Sequence, residues 1–458
     1  MREQNVGEDV VVRSPSDSTK PVAGDNNRAP VVLAGYGWRV GLFYGALFLI
    51  YGVQIPFMPV WLDWRGLSAR EIAFVGAAPF FLRVIVSPLL AMIADQKGSH
   101  RTMILVLATM ALMTALGLSQ TSNHDVVVLV SIVLAISMIS MMPLTETIAV
   151  KGVRHGDLDY GRMRLWGSAS FILVGFIAGA LVTEFQAGVI IWLTALACLA
   201  TLVFGFILPT ARLYTGPNNK LTGLPPDVSG EEKTKQKKSH SPHSLSMGMA
   251  AAAQLVRQPI FFMFLIAGGT IQASHATFYT FGALIWRDQG ISATWIGGLW
   301  AIGVVAEILV FAYARDLFRG WGCSQSEGVM VLLIAGALAA VLRWVLMSFD
   351  PSLWFLVVLQ MLHGLTYGCA HLGAIHFMSA AIPERTMGTA QALYGSVAAG
   401  IAMGLAMLAT GPLYEWYGGA SYLAMAALSM FGLVFSLVIC QRWSGGVLLA
   451  ENAPNPKA

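Results

Sequence analysis

Charge is scarce in this sequence. Asp, Glu, Lys and Arg make up only 11% of the 458 residues, against roughly 25% in soluble globular proteins, while 56% are hydrophobic. The length prior for soluble domains therefore does not apply, and the balance predicts a protein with many membrane spans. Cysteine is equally sparse. Cys198, Cys323, Cys369 and Cys440 show neither metal-ligand spacing nor a disulfide framework, and they read as small interior residues. The polar stretch 1–35 has no apolar h-region, so no cleavable signal peptide is expected and the first span is the insertion signal. The sequence has no G-x-x-x-x-G-K-[ST], which argues against ATP as the energy source, and no H-E-x-x-H zinc motif. Nothing in it suggests nucleic-acid recognition. No cofactor is implied.

Long apolar runs are what the chain has instead. A bilayer span needs roughly 20 apolar residues, and twelve segments qualify: about 40–62, 72–94, 102–119, 126–148, 164–184, 187–208, 259–286, 294–314, 328–349, 352–382, 386–413 and 419–440. Six precede one long polar stretch and six follow it. The expected organisation is a disordered cytoplasmic tail (1–35), a six-helix bundle (36–210), a cytoplasmic linker (211–257) containing "GEEKTKQKKSHSPHS", a second six-helix bundle (258–441) and a cytoplasmic tail (442–458). With cytoplasmic termini, 23 of the 28 basic residues fall on the cytoplasmic side, while Arg65, Arg70 and Arg287 fall opposite. "KTKQKK" then serves as a topology anchor that can meet anionic lipid.

The two halves echo one another. "GLSAREI" (66–72) and "GISATWI" (290–296) both fit G-[LI]-S-A-x-x-I, at the same place in each half and 224 residues apart. The same offset relates Arg83 in span 2 to Glu307 in span 8. A second echo pairs "ADQKGSHR" (94–101) with "ARDLFRGWG" (314–322). The expected fold is an all-α membrane protein with twelve transmembrane helices in two six-helix repeats, as in transporters built from parallel repeats.

Ionisable groups inside such spans are informative, because a charge at the bilayer midplane costs from about 2.5 to over 10 kcal/mol and normally faces the bundle interior with a partner. Glu307 is expected to pair with Arg343 on the next span or with Arg83 across the halves. A carboxyl that trades between a proton and an Arg is a proton-coupling device; a permanent salt bridge is the plainer reading. Arg83 can grip a substrate carboxylate through two parallel hydrogen bonds, or act as a strut between halves. Span 10 carries Gln360, His363, Tyr367 and His371 on one stripe, and span 7 carries Gln272, His275, Tyr279 and Trp286. These stripes predict a wet cavity lined by aromatic rings, with histidine able to titrate near neutrality; buried rings bonded to backbone would give the same pattern. Tyr44, Phe48, Tyr51 and Gln54 share a face of span 1, as cavity lining or as packing. Glu146 and Arg164 read from spacing alone as an ordinary boundary pair.

The six-plus-six organisation and the loop signatures resemble the major facilitator superfamily over about 40–440. "ADQKGSHR" resembles its helix 2–3 motif, with Asp95, Gly98 and Arg101 matching as a conformational motif and Ala91 in place of the first glycine. "LDYGRMRLWGSASF" (158–171), "GLWAIGVVAEILVF" (298–311), "VLQMLHGLTYGCAHL" (358–372) and "QALYGSVAAG" (391–400) are similar to the phenylpropionate permease group, itself related to the lactose permeases. The resemblance implies a monomeric, proton-coupled importer of a small organic solute such as an aromatic carboxylate, in the plasma (inner) membrane, working by alternating access. Sugar or nucleoside symport is the alternative, with a non-transporting sensor or a membrane metalloenzyme more distant. The resemblance also assigns residues: Glu146 and Arg164 match a substrate-flanking pair, and Glu307, Arg343 and His363 match the polar residues of helices 8, 9 and 10. There are departures. Thr366 stands where the helix 10 acid belongs, Gln360 where a Lys belongs, Ser274 and His275 lie near the missing helix 7 acids, and Phe171 replaces the Trp under the sugar ring. The resemblance thus speaks against galactoside binding.

Overall fold

A computed structural model of the chain describes residues 35–156, 158–209, 242–320 and 325–449; of 154–156, 242–248, 314–320 and 325–327 it describes the backbone only. Most of the expected N-terminal tail, the polar segment 210–241, Cys323, the end of the second echo and residues 450–458 lie outside the described residues. No strand occurs among those described.

The first half comprises α1 (Tyr36–Trp64), α2 (Ala69–Lys97), α3 (His100–Gln120), α4 (His124–Gly156), α5 (Tyr160–Phe185) and α6 (Val189–Gly205). A further helix, α7 (Pro242–Val256), lies in the stretch read as linker, whose end "MAAAAQLV" is rich in helix-favouring residues. Span 7 is broken into α8 (Pro259–Ala273) and α9 (Ala276–Asp288). The break has a local cause: Ser274 Oγ donates to Ile271 O at 2.7 Å, and His275 Nδ1 lies 3.2 Å from both Ile271 O and Gln272 O. Side chains here compete for carbonyls that a continuous helix would use. Next come α10 (Ala293–Gly320) and α11 (Gln325–Met347). Span 10 follows as α12 (Leu353–Met361) and α13 (Ala370–Ala381), joined by a π-helical turn at Gly364–Cys369. Span 11 is α14 (Glu384–Ser396) and α15 (Met403–Tyr417), joined by a second π turn at Val397–Ala402, and α16 (Tyr422–Arg442) closes the bundle.

Ten described segments are long and apolar enough to cross a bilayer. One, Glu384–Arg442, has 59 residues. A straight helix of that length would run roughly 90 Å, about three times the apolar thickness. It turns instead at Gly418, where φ is 53°, and so makes two crossings. With the shorter α6 of 17 residues, the crossings agree with the twelve expected from the apolar runs, and the chain is a multi-pass membrane protein.

The internal repeat is visible bond by bond. Gly66 N donates to Asp63 O and Leu67 N to Leu62 O; 224 residues on, Gly290 N donates to Arg287 O and Ile291 N to Trp286 O. Both glycines take positive φ, 84° and 81°, the left-handed turn that ends a helix. Ser68 then starts α2 through a capping box with Glu71, and Ser292 O accepts from Ile296 N as Ser68 O does from Ile72 N.

The halves are drawn together at the face opposite Tyr36 and Arg442, termed the outer face after the orientation expected from the basic residues. Asp63 and Arg287 are themselves 224 residues apart, and they meet as an ion pair at 2.6 Å. Two equivalent residues that touch must lie on the pseudo-twofold axis. To either side of it, Arg70 pairs with Glu415 at 2.9 Å, and Thr183 Oγ1 lies 3.1 Å from Thr294 Oγ1. Glycine permits the approach. A Cβ on Gly411 would lie 2.9 Å from Ala73 Cβ and 3.1 Å from Arg70 Cα. A Cβ on Gly179 would collide with Ala293 O, and one on Gly297 with Gly175 O.

Replacing Gly411 or Gly179 by Val should therefore wedge the outer face open. A cysteine placed at Val75, in the cavity below, is expected to react several-fold faster with a membrane-impermeant thiol reagent supplied from that face. Unchanged labelling would show that these contacts do not close it.

Candidate functional site

Below the outer closure lies a cavity of about 480 Å³ between the halves, within the roughly 300–1,000 Å³ typical of small-molecule sites. α1, α2 and α4 supply most of its wall, and Tyr279, Thr280, Tyr367 and Met407 complete it from the second half. Its lining is apolar and aromatic, with a single charge, Arg83. Pro79 and Pro88 bracket Arg83 on α2, where the loss of backbone hydrogen bonds lets a helix bend. No carboxylate among the described residues lies within ion-pair distance of Arg83; the ionisable groups acting on it are Tyr51 and Tyr367. Tyr51 is not itself free, because its hydroxyl donates to Met138 O at 3.0 Å.

A second polar centre sits behind Tyr279 and Tyr367. Arg343 on α11 is fully buried. One terminal nitrogen donates to Gln360 Oε1 at 2.7 Å; the other lies 3.0 Å from His363 Nδ1 and 3.3 Å from Thr366 Oγ1. The guanidinium is also flanked by the rings of Phe278 and Trp344, 4.8 and 4.6 Å away. A guanidinium can only donate. Nδ1 of His363 therefore accepts, and the ring proton of the neutral imidazole sits on Nε2, facing Glu307 Oε2 at 4.0 Å. By the same rule His275 donates from Nδ1 to the α8 carbonyls and accepts from Thr366 at Nε2, 3.1 Å away. The order is Glu307, His363, Arg343, Thr366, His275. The π turn Gly364–Cys369 holds this order in place, with Gly364 packed on Ala306 O and Thr366 turned toward Arg343 and His275.

This arrangement corrects one expectation. Glu307 meets neither Arg343 nor Arg83; His363 lies 4.0 Å from it, and Arg164 of the first half acts on it electrostatically. The reason is packing: α10 lies between α5 of the first half and the α12 and π-turn segments of its own half, so its carboxylate comes near His363 of helix 10 and also feels the charge of Arg164 on α5. Gln360 and His363 belong to the Arg343 centre and do not line the cavity; of that stripe only Tyr367 does. Its ring stacks between His363 and His371, with centroids 5.6 and 5.9 Å away. Likewise only Tyr279 of the span 7 stripe lines the cavity, while Gln272, His275 and Trp286 are buried. Phe171 is buried where α5 packs on Gly52 of α1, outside the cavity. Tyr44 and Phe48 lie against Arg164, and Gln54 Nε2 donates to Thr194 Oγ1 at 2.8 Å.

Glu146 and Arg164 do come together, with Nε to Oε1 3.7 Å, and Tyr160 donates to the other carboxylate oxygen at 2.6 Å. They stand apart from the cavity lining. In the helix 2–3 motif, Gly98 takes φ 60° to end α2, Asp95 Oδ1 lies 3.1 Å from His100 Nε2, and Arg101 donates to Phe206 O. Sequence reasoning missed Phe278, Trp344, Ser131 and Thr280. It also missed Asp63–Arg287, which the 224-residue offset could have revealed.

No carboxylate among the described residues bonds Arg343 directly, and Nε of Arg343 and Nε2 of Gln360 are buried without partners. Arg343→Met should lower the melting temperature in detergent by several degrees, because it strands three acceptors at about 1–3 kcal/mol each. Gln360→Glu should raise it, since it gives the buried guanidinium an anionic, bidentate partner in place of a neutral one. No rise in the second variant would mean that the guanidinium is already compensated.

The sequence matches the MFS_1 like family over residues 37–424. It is 30% identical over 400 residues to a protein named "Probable 3-phenylpropionic acid transporter" from Escherichia coli (strain K12), covering 87% of this chain and 97% of that one. It is 27% identical over 405 residues to maltose permease of Geobacillus stearothermophilus, covering 88% and 94%. In fold it is similar to a mutant of the nucleoside transporter NupG (TM-score 0.72, 14% identity, 89% and 100% covered) and to a bacterial homologue of the human lysosomal transporter Spinster (TM-score 0.65, 14% identity, 90% and 98% covered). The chain belongs to the MFS_1 like family and is a multi-pass membrane transporter of the major facilitator type, not an enzyme.

Proposed function

We propose that this transporter carries out proton-coupled symport, importing a small organic monoanion with an aromatic body, by rocking its two halves about the outer contacts. One observation carries the reading: Arg83 is the lone charge in the cavity wall, and it has no counter-ion. A carboxylate would supply one, through the two parallel hydrogen bonds a guanidinium can make. Tyr51, Phe80, Tyr279 and Tyr367 would bury the ring. The relative named for 3-phenylpropionic acid supports this substrate class. A neutral sugar, as the maltose permease suggests, would leave the cation uncompensated.

For coupling, we assign the proton to Glu307, next to His363 and Arg343. A charged Glu307 offsets Arg343 through the imidazole between them. A protonated one releases that attraction, and the change reaches Tyr367 through its stack on His363. The protein works as a monomer in the plasma (inner) membrane with cytoplasmic termini, the orientation its basic residues favour.

The test is uptake into proteoliposomes with an imposed pH gradient and a panel of 3-phenylpropionate, maltose and a nucleoside. 3-Phenylpropionate should accumulate and the neutral solutes should not. Arg83→Gln should reduce its uptake at least about tenfold, the loss expected when a charge-assisted hydrogen bond of roughly 1.5–3 kcal/mol is removed. Arg83→Lys should recover only part. Glu307→Gln should allow exchange of substrate but abolish accumulation. Accumulation by that variant equal to the parent's would exclude Glu307 as the proton site.

A further inference from the structure

Resting on the reading of an aromatic carboxylate, we infer that the substrate carries a second polar group at the far end of its ring, a phenolic hydroxyl recognised by Ser131 and Thr280. Both residues line the cavity, Ser131 from α4 in one half and Thr280 from α9 in the other. Both are nearly wholly buried, 2% and 4% exposed, and neither hydroxyl has a hydrogen-bond partner.

This is not how hydroxyls in these helices usually behave. Ser137, Thr145, Thr194, Thr201, Ser429 and Ser436 each donate to the carbonyl four residues back, the ordinary way a helix satisfies such a group in an apolar setting. Ser87, Ser140 and Thr277 are also unpartnered, but none of them lines the cavity. A polar group left buried without a partner is costly, and at Ser131 and Thr280 the space beside the residue can hold one.

Depth decides what that partner is attached to. Ser131 is seven residues into α4 from its outer end at His124, and Thr280 is eight from the outer end of α9 at Asp288. Arg83 is fourteen residues into α2 from Ala69. At 1.5 Å per residue the hydroxyls lie roughly 10 Å nearer the outer face than Arg83 does. An arylpropanoate held by its carboxylate at Arg83 spans about that depth and brings its distal ring edge to the level of the two hydroxyls. A phenol both donates and accepts, as do Ser and Thr, so one substituent can engage both walls. Thr280 Oγ1 also lies close to Gly76 of α2, 3.8 Å from where a Cβ would stand, so a group held there touches both halves at once.

The experiment compares 3-(4-hydroxyphenyl)propanoate with 3-phenylpropanoate as competitors for uptake in proteoliposomes. The readout is the ratio of their apparent affinities, which does not depend on how much protein folds. The parent should prefer the hydroxylated acid by about 2- to 10-fold, the range for a single neutral hydrogen bond. Ser131→Ala and Thr280→Val, made separately, should each move the ratio toward one. A parent ratio of one, or a ratio untouched in both variants, overturns the inference while uptake of 3-phenylpropanoate keeps the carboxylate reading. If neither acid enters, the carboxylate reading itself fails, and this inference with it.

Discussion

At the outer face the backbones of the two halves touch with no side chain between them, and the rest of the arrangement depends on that approach. Gly175 faces Gly297, Gly179 faces Ala293, and Gly411 faces Arg70 and Ala73. Small residues allow this closeness in membranes, where no hydrophobic force drives helices together and contact distance sets the dispersion gained. The polar links are weaker partners in this. Asp63 and Arg287 are each about 40% exposed, and ion pairs that wet contribute little. Their value is in register, because they fix which residues meet when the glycines close. The cavity exists because the halves converge here and leave space beneath.

The two arginines of the interior show how setting decides role. Arg343 has every route to a ligand blocked: it is buried, bonded by Gln360, His363 and Thr366, and covered by two aromatic faces. Its charge is spread over neutral acceptors, so it organises helices 9 and 10 and is not available for binding. Arg83 has the opposite circumstances, with a cavity in front of it and no fixed anion. Glu307 adjoins the first of them. It stands one imidazole away from Arg343 and shares its neighbourhood with Tyr367, whose other side looks into the cavity. A change of charge at Glu307 therefore has a short path to the cavity.

The fold was largely legible in the sequence. Apolar runs count crossings, because a bilayer sets their length, and the loops at Gly66 and Gly290 announce the repeat, because the same left-handed turn and serine cap need the same residues. The site was legible only in part. Tyr51, Gln54, Tyr279 and Tyr367 of the helical stripes reach the cavity, as does the in-span charge Arg83, yet Phe171 packs between α1 and α5, and Gln272 lies outside its lining. A helix that is apolar on all sides carries no periodic signal for which face looks inward, and a break such as that after Ala273 resets the stripe. Ser131 and Thr280 were invisible for another reason. In sequence a hydroxyl that satisfies its own helix cannot be told from one that does not.

Duplication explains why one rule of the sequence held at one depth and failed at another. Equivalent residues of two parallel repeats are related by an axis along the membrane normal, so they touch only if they point at that axis and nothing lies between them. At the outer tips of α1 and α9 both conditions hold, and an acid in one half meets a base in the other as Asp63 and Arg287. Halfway down, the cavity occupies the axis. Arg83 and Glu307 hold equivalent slots of opposite charge but do not pair: the base faces the cavity, and the acid stands beside an imidazole of helix 10 and feels Arg164 of the other half. One repeated position thus carries a base that faces the cavity in one half and an acid that faces an imidazole in the other.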